Sequence, residues 1–299
     1  MQEPVVLSTS RRELVLTEYK KRHAQTSDYS TLLTEPTIIS DIETGRISVV
    51  YIELDDDCTQ IVHALKSMEY DTNVRTDGML TTSKTIGYHP RNVVRRDFCT
   101  TARSLVEFPA EHALISKYAK QVATYYQQYN PELYETHQQM TDKVLPEWKL
   151  EESIFTSGIV NKNNPLVYHF DTGNFKSVWS NMLVFKQDIE GGYLAVPEYD
   201  VGFELKNNSL LMFDGQSLLH GVTPIRKLKK DAHRFSIVYY SLQKMWECLP
   251  PGEELDRIRK LRTQREEKRN LGQTMEDVIG KDGMKKRERK QQVKGKPEV

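Results

Sequence analysis

Apolar residues recur at two different spacings along this chain, and the two spacings predict different elements. From Pro109 to Tyr129 they return every three to four residues, which predicts an amphipathic helix that ends before Pro131. The shorter run Cys58 to Met68 has the same spacing and predicts a second helix. Thr37 to Leu54 contains two runs rich in β-branched residues around a Glu-Thr-Gly turn, so we expect a β-hairpin there.

The pattern changes between Ser153 and Leu242, where six short β-branched and aromatic runs are separated by Gly, Asn, Asp or Pro. With the helices mostly upstream, this order predicts an α+β protein. Its core would be a double-stranded β-helix (a jelly-roll or cupin-like barrel) with flanking helices on one side. We expect an N-terminal extension at 1–36, one domain at 37–250 with its jelly-roll core at about 153–245, and a charged tail at 251–299.

Composition narrows the class of protein but not its partner. The 299 residues are 38% hydrophobic and 28% charged, which is typical of a soluble globular protein. Lys and Arg balance Asp and Glu at 42 each, so net charge alone predicts no polyanionic ligand. Residues 251–299 nevertheless carry 15 Lys or Arg against 10 Asp or Glu, which predicts a solvated helix near Asp256 to Arg269 followed by disorder.

The cysteines and the N-terminal sequence bear on the cellular location of the protein. Cys58, Cys99 and Cys248 are odd in number and in no metal-binding spacing, which argues against a disulfide framework and favours a reducing compartment. No apolar run approaches the ~20 residues of a membrane helix, and the N-terminus lacks the apolar stretch of a secretory signal. The sequence therefore predicts a soluble intracellular protein of the cytoplasm or nucleus, without a membrane partner and with its oligomeric state left open.

One group of residues has the composition of a metal site. His169 and Asp171 are two positions apart in a β-rich run, so both side chains leave the same face of a strand. His220 follows 49 residues after Asp171, where a returning strand could supply a second imidazole. Two histidines and one carboxylate are the ligands that hold Fe(II) and leave positions open for chemistry. A chain with eight histidines can also contain this pattern by chance.

Arg234 enters an apolar strand 14 residues after His220. A guanidinium group in a core strand requires an anion, and a carboxylate that accepts two hydrogen bonds is its natural partner. The anion could belong to a structural Asp or Glu, or to a bound carboxylate such as 2-oxoglutarate.

The order of these motifs resembles that of Fe(II)- and 2-oxoglutarate-dependent dioxygenases. Between the H-x-D at His169 and the R-x-S at Arg234 lie Gly191-Gly192-Tyr193-Leu194 and an H-x-V-x-P that begins at His220, at the family's distances. Residues 75–245 are similar to the ten-eleven translocation and J-binding protein branch, of viral or fungal type, whose members oxidise the methyl group of pyrimidine bases. The closer similarity lies in Asn174, which completes H-x-D-x-x-N, and in the Gly-Tyr-His-Pro-Arg run that begins at Gly87.

The resemblance implies a role for each of these residues. Fe(II) would be bound by His169, Asp171 and His220, and all three would be catalytic residues. Arg234 would anchor the distal carboxylate of the cosubstrate 2-oxoglutarate, O2 would be the second cosubstrate, and Asn174 would orient groups beside the metal. Asn161, with its neighbours Asn163 and Asn164, could line the cosubstrate pocket, although such Asn clusters also simply make turns.

A base oxidase has to flip its target out of the DNA duplex and offset that cost with phosphate contacts and stacking. A basic, aromatic segment suited to this role contains Tyr88, Arg91, Arg95 and Arg96. The same composition is equally consistent with an ordinary exposed loop. The basic tail is a second candidate for DNA contact. We therefore expect a dioxygenase acting on thymine or 5-methylcytosine in DNA. The same chemistry on a protein, RNA or small molecule, and a metal-free jelly roll that binds nucleic acid or protein, are open alternatives.

Overall fold

The computed structural model describes residues 2–74, 80–92 and 98–277, together with 280 and 284. Its strands are β1 (Val5–Thr9), β2 (Thr31–Leu33), β3 (Thr37–Asp41), β4 (Ile47–Glu53), β5 (Asp71–Val74), β6 (Leu80–His89), β7 (Thr100–Thr101), β8 (Ser157–Lys162), β9 (Ser180–Gln187), β10 (Ile189–Gly191), β11 (Leu194–Val196), β12 (Val201–Phe203), β13 (Ser209–Phe213), β14 (Gly221–Val222), β15 (Ile225–Lys227) and β16 (His233–Tyr240). Its helices are α1 (Thr59–Ser67), α2 (Ser104–Glu107), α3 (Pro109–Tyr129), α4 (Pro131–Thr141) and α5 (Pro251–Asn270).

Two sheets form the double-sheet core that the strand pattern predicted. The major sheet has the order β1-β3-β4-β13-β9-β16-β8-β6-β5, with β7 paired to β6, and the minor sheet has the order β14-β11-β12-β2. Apolar side chains of β4, β9 and β13 pack against those of β11 and β12 between the sheets. The expected jelly-roll architecture in an α+β chain is confirmed.

The helices cover the other face of the major sheet. Along β9, Met182 and Val184 point between the sheets, while Leu183 and Phe185 join the cluster that α1 and α3 contribute to. This alternation follows from the two-residue period of a strand. Both faces of the strand are buried, which explains why its sequence is apolar almost throughout.

The predicted hairpin and the helices predicted at 58–68 and 109–129 are confirmed, but other elements were missed, among them α4 and β6. Asn130 and Pro131 end α3 and also begin α4, since the Asn130 side chain caps it by accepting from the Leu133 N–H. Strand β6 was missed because its buried positions include Lys84. That ammonium group is 2.6 Å from the Glu107 carboxylate, which makes its burial acceptable.

Residues before β3 are built into the sheets. β1 pairs with β3, and β2 pairs with β12. Between β1 and β2, residues 11–29 cross the outer face of the minor sheet, and we call them the N-terminal strap. Its Tyr29 ring lies against Gly202, where a Cβ atom would come within 2.4 Å of the ring. The segment expected as an N-terminal extension therefore contributes to both sheets.

The cysteine prediction was wrong, because Cys99 and Cys248 form a disulfide. Their separation of 149 residues carried no signal of a pair, and the fold brings them together where α5 begins. The pairing removes the basis on which the cysteine count favoured a reducing compartment. Cys58 is a free thiol. None of the helices among the described residues is long and apolar enough to cross a membrane.

Candidate active site

The two predicted histidine ligands face each other across a short β-bridge. His169 N–H donates to the His220 carbonyl at 3.0 Å, and His220 N–H donates to the His169 carbonyl at 3.1 Å. Their ring centroids are 4.3 Å apart. The backbone thus brings together two imidazoles that are 51 positions apart in the sequence.

Each imidazole is held in one tautomer by a carbonyl two residues before it. The Nδ1–H of His169 donates to the Val167 carbonyl at 2.8 Å, and that of His220 donates to the Leu218 carbonyl at 2.9 Å. A carbonyl can only accept, so the proton is on Nδ1 and the lone pair is on Nε2. Both Nε2 atoms face Asp171 Oδ1, at 3.8 and 3.9 Å. This is the arrangement in which histidine binds a metal.

Asp171 completes the only group of three or more such ligands among the described residues, with all ligand atoms within 4.8 Å of one another. Its Oδ2 accepts from the Ser180 hydroxyl at 3.3 Å, and Ser180 in turn accepts from the Asn174 amide at 3.2 Å. Gly215 makes room for the carboxylate, because a Cβ there would lie 2.4 Å from Oδ2. The second carboxylate oxygen is therefore fixed by the protein, and Oδ1 is directed towards the histidines.

Arg234 lies in β16 with only 2% of its surface exposed. Its Nη2 has no hydrogen-bond partner, and no carboxylate of the described chain forms an ion pair with it. Burial lowers the pKa of its guanidinium to about 10, which still leaves it charged at neutral pH. Gly192 adjoins it, where a Cβ would be 3.0 Å from Arg234 Cδ. A buried cation without an anion indicates a site that a ligand completes.

A second cation, Lys186, lies beside Arg234. Lys186 is directly opposite it on β9, so both side chains leave the same face of the sheet. Burial lowers the pKa of Lys186, Glu204 at 3.7 Å opposes that effect, and the charge of Arg234 adds to it. The same face of β16 continues through Ser236 to Tyr240. Burial and then the nearby Asp171 charge raise the Tyr240 pKa. One strand face therefore connects the arginine with the metal ligands.

A family model described as the oxygenase domain of the 2OGFeDO superfamily, Tet_JBP, matches residues 91–243, just over half of the chain. The chain belongs to the Tet/JBP oxygenase-domain family. The resemblance that the motifs H-x-D, GG-x-L and R-x-S indicated is thereby confirmed.

Relatives of known name are similar to part of the chain. The bifunctional helicase and thymine dioxygenase JBP2 of Trypanosoma brucei brucei is 32% identical over 115 residues, which are 38% of this chain and 10% of that protein. JBP2 of Trypanosoma cruzi is 28% identical over 145 residues, 48% of this chain and 13% of that protein. The chain therefore spans only about a tenth of the length of these relatives.

A solved structure, NgTET1 in complex with 5mC DNA, has the same fold. It matches 81% of this chain and 83% of its own chain with a TM-score of 0.54 and 14% sequence identity. Fe(II), 2-oxoglutarate and O2 are the cofactors of the superfamily. The residues of this Tet/JBP domain fit them, because two imidazole nitrogens and one carboxylate suit Fe(II) and the unpaired Arg234 guanidinium suits a carboxylate.

The Asn residues that were expected near the cosubstrate mainly organise the chain around β8. Asn163, in the left-handed region at φ 53°, accepts from the Arg234 N–H at 2.7 Å. Asn164 forms two hydrogen bonds with the Thr82 backbone and donates to Asn161 Oδ1 at 3.0 Å. Asn161 itself lies on β8 opposite Ser236 of β16. The side chains of Asn163 and Asn164 therefore bond to the neighbouring strands β16 and β6.

The segment expected to contact DNA is held within the Tet/JBP domain. The Tyr88 ring packs edge-on against Trp148 with centroids 5.5 Å apart. Arg91 forms an ion pair with Glu254 of α5, whose side chain is only 2% exposed. Both side chains are half-buried and already have a partner within the protein. Arg95 and Arg96 lie outside the described residues.

Three supporting residues had no signal in the sequence. Ser180 and Gly215 touch the Asp171 carboxylate but belong to no motif. Glu198, 3% exposed, accepts the Leu219 N–H at 2.7 Å, immediately before His220. Only the three-dimensional pairing of distant segments reveals these contacts.

Proposed function

We propose that this chain is an Fe(II)- and 2-oxoglutarate-dependent dioxygenase that oxidises the methyl group of a pyrimidine base, thymine or 5-methylcytosine, in DNA. The observation that carries the proposal is the convergence of His169, Asp171 and His220 in the same domain as the buried, unpaired Arg234. Relatives support the substrate class, since JBP2 is named a thymine dioxygenase and NgTET1 was solved with 5mC DNA.

Fe(II) would be held by the two Nε2 atoms and by Asp171 Oδ1. This set occupies three positions and leaves the others for the cosubstrates. When bound, iron with 2-oxoglutarate and O2 supplies the oxidising power that no side chain has. The protein contributes the positions of the ligands, because the carbonyls of Val167 and Leu218 fix both tautomers and Ser180 fixes the carboxylate.

Arg234 would bind the distal carboxylate of 2-oxoglutarate through its free Nη2. Such a bond is strong in a dry pocket, because burial removes competing water from both charges. Lys186, which is paired with Glu204, lies opposite Arg234 on the neighbouring strand. We assign Asn174 a positioning role, through Ser180, for Asp171. Asn161, opposite Ser236, is a candidate for the wall of the cosubstrate pocket.

The reaction requires the methyl group to leave the duplex and approach the metal, since a stacked base cannot reach a buried centre. The enzyme would therefore work in a compartment that contains DNA. Either base carries a methyl group on ring carbon 5, so the chemistry alone selects neither.

Mass spectrometry of nucleosides tests the proposal. Duplexes that contain 5-methylcytosine, thymine, or uracil in place of thymine would be incubated with the protein, Fe(II), 2-oxoglutarate and ascorbate. The expected result is an oxidised methyl nucleoside with the wild-type chain and none with Asp171→Ala. Consumption of 2-oxoglutarate with unchanged DNA would point to the same chemistry on another substrate. Absence of both iron binding and 2-oxoglutarate turnover would indicate a non-catalytic jelly roll.

A further inference from the structure

The cations of the N-terminal strap fall into two groups. Three arginines attach the strap to the domain. Arg11 donates to the Ser217 carbonyl, and Arg12 donates twice to the Pro197 carbonyl, at 3.1 and 2.7 Å. Arg22 forms an ion pair with Asp28 at 2.7 Å, and its guanidinium lies over the Tyr19 and Tyr168 rings; these contacts leave its charge satisfied.

Lys20 and Lys21 differ from these arginines. Both side chains are exposed, and within the part of the chain that the structure describes neither forms an ion pair. Lys21 also adopts a left-handed backbone conformation, φ 58°, which costs a side-chain-bearing residue conformational energy. The strap therefore presents two uncompensated positive charges at a turn that the anchored residues on both sides hold in place.

This turn adjoins the segment that contains the metal ligand His169. The Tyr168 N–H donates to the Arg22 carbonyl at 2.9 Å, so the strap runs directly beside the segment that contains His169. A cleft of about 280 Å³ separates the two, with Leu16, Tyr19 and Lys20 on one wall and His169, Phe170 and Leu219 on the other. Leu16 is 52% exposed, which leaves an apolar rim next to the lysines.

We infer that the N-terminal strap is a DNA-contacting wall of the active-site mouth, where Lys20 and Lys21 contact backbone phosphates. The inference rests on the proposed function, which supplies DNA as the partner. Phosphates match unpaired lysines by charge, and the apolar rim at Leu16 matches the face of a base or sugar beside them. The strap precedes residues 91–243, so the family match does not assign it this role.

The segment that contains Tyr88 and Arg91 is less suited to the task. Arg91 is already paired with Glu254, and Tyr88 is packed against Trp148. A phosphate would have to displace a carboxylate from Arg91, whereas at Lys20 and Lys21 it displaces only water and salt ions. The strap is also joined by a backbone hydrogen bond to Tyr168, the residue before the ligand His169, so a phosphate held there has a defined position relative to the metal.

The test is a salt titration of DNA binding. Fluorescence anisotropy would measure the affinity of Lys20→Ala/Lys21→Ala for methylated and unmethylated duplexes. Lys117→Ala/Lys143→Ala is the matched control, because both lysines are exposed, form no ion pair among the described residues and belong to the helix-covered side. Lys20→Arg/Lys21→Arg keeps the charge.

Loss of two phosphate contacts should flatten the slope of log affinity against log salt by about 2. Binding should weaken alike for methylated and unmethylated DNA, and the arginine variant and the control pair should retain the wild-type slope. An unchanged slope in the alanine variant, or an equal change in the control pair, overturns the inference. If the wild-type chain oxidises methylated DNA, failure of this inference leaves the proposed function standing. A wild-type chain that oxidises no DNA removes both.

Discussion

The metal site and the Arg234 site differ in whether the protein supplies hydrogen-bond partners for their polar groups. At the metal end, backbone carbonyls and Ser180 occupy the outward-facing atoms of His169, His220 and Asp171. At the other end, Arg234 is buried with a free Nη2 and no anion among the described residues. The protein itself builds the metal site, whereas the arginine site is complete only with a ligand that brings a carboxylate.

The difference has an energetic consequence. Oriented metal ligands cost the fold little, because their hydrogen bonds are made before any ion binds. A buried cation without a partner costs several kcal/mol, and a bound carboxylate recovers that free energy as affinity. Removal of a metal ligand should therefore abolish turnover. Replacement of Arg234 should instead lower the affinity for the cosubstrate and leave the stability of the ligand-free protein equal or higher.

The largest effect is expected from Asp171→Ala. Turnover should fall to background, since a carboxylate ligand is lost and the two histidines alone bind Fe(II) weakly. The fold should persist, because the two sheets bury their core without a metal. Activity at matched iron loading and a thermal unfolding curve would measure both. Asp142→Ala, an exposed aspartate after α4, is the control. Near-wild-type turnover of the Asp171 variant would rule out this ligand assignment.

Arg234→Met should raise the KM for 2-oxoglutarate tenfold or more, because hydrogen bonds to charged groups contribute roughly 1.5–3 kcal/mol each. The ligand-free variant should unfold at the same or a higher temperature, because an apolar side chain replaces an unpaired buried charge. Arg226→Met, at an exposed arginine paired with Glu190, is the control and should change neither quantity. A KM equal to that of the wild type would mean that another residue anchors the cosubstrate.

Cosubstrate binding should stabilise the wild type more than the arginine variant. At 100 times its Kd, 2-oxoglutarate should add about 2.7 kcal/mol to the free energy of unfolding of the wild-type chain. At the same concentration, Arg234→Met should gain much less. Anaerobic denaturant unfolding with Fe(II) measures the difference. Equal gains in the free energy of unfolding would show that Arg234 does not contribute to cosubstrate binding.

Ser180→Ala should weaken iron binding roughly tenfold, which is typical when a group that orients a metal ligand is removed. Asn174→Ala should have a smaller effect, because its amide acts on Asp171 only through the Ser180 hydroxyl. Equilibrium competition with a metal chelator gives both dissociation constants. If the Asn174 variant were the weaker binder of the two, the order of this hydrogen-bonded chain would be wrong.

The smallest effect near neutral pH concerns His137 of α4, another buried group with an unsatisfied atom, Nδ1. Burial lowers its pKa from 6.5 to about 3. The unfolded chain binds this proton below pH 6.5 and the folded chain does not, so stability should fall as pH decreases from about 6.5 towards 3. The contribution is at most about 1.4 kcal/mol per pH unit. Urea unfolding of His137→Phe should show a shallower pH dependence, and an unchanged one would contradict the burial argument.

The sequence predicted the parts of this molecule that depend on local periodicity and on motif order. The helix at Pro109 to Tyr129 and the grouping of His169, Asp171 and His220 follow from spacings along the chain. Contacts between distant segments left no such signal, as the Cys99–Cys248 disulfide shows. The strand containing Lys84 was missed because its burial depends on an ion pair with Glu107 of α2.

The N-terminal strap illustrates the same limit. Its sequence lacks the two-residue alternation of a strand and the spacing of a long helix, so it was interpreted as an extension. Its place is set by Arg11 and Arg12, whose partners lie between 185 and 206 positions away. Basic residues of one segment can therefore act as anchors or as free charges, and only their partners distinguish the two.

The stoichiometry of the reaction tests the central claim most directly. Succinate released and methyl groups oxidised would be counted in one reaction with wild-type protein and 5-methylcytosine- or thymine-containing duplex. We predict one succinate for each oxidation step, and a much slower release when the target methyl group is absent. Equal succinate release with and without the methyl group, or methyl oxidation that persists without 2-oxoglutarate, would contradict the account.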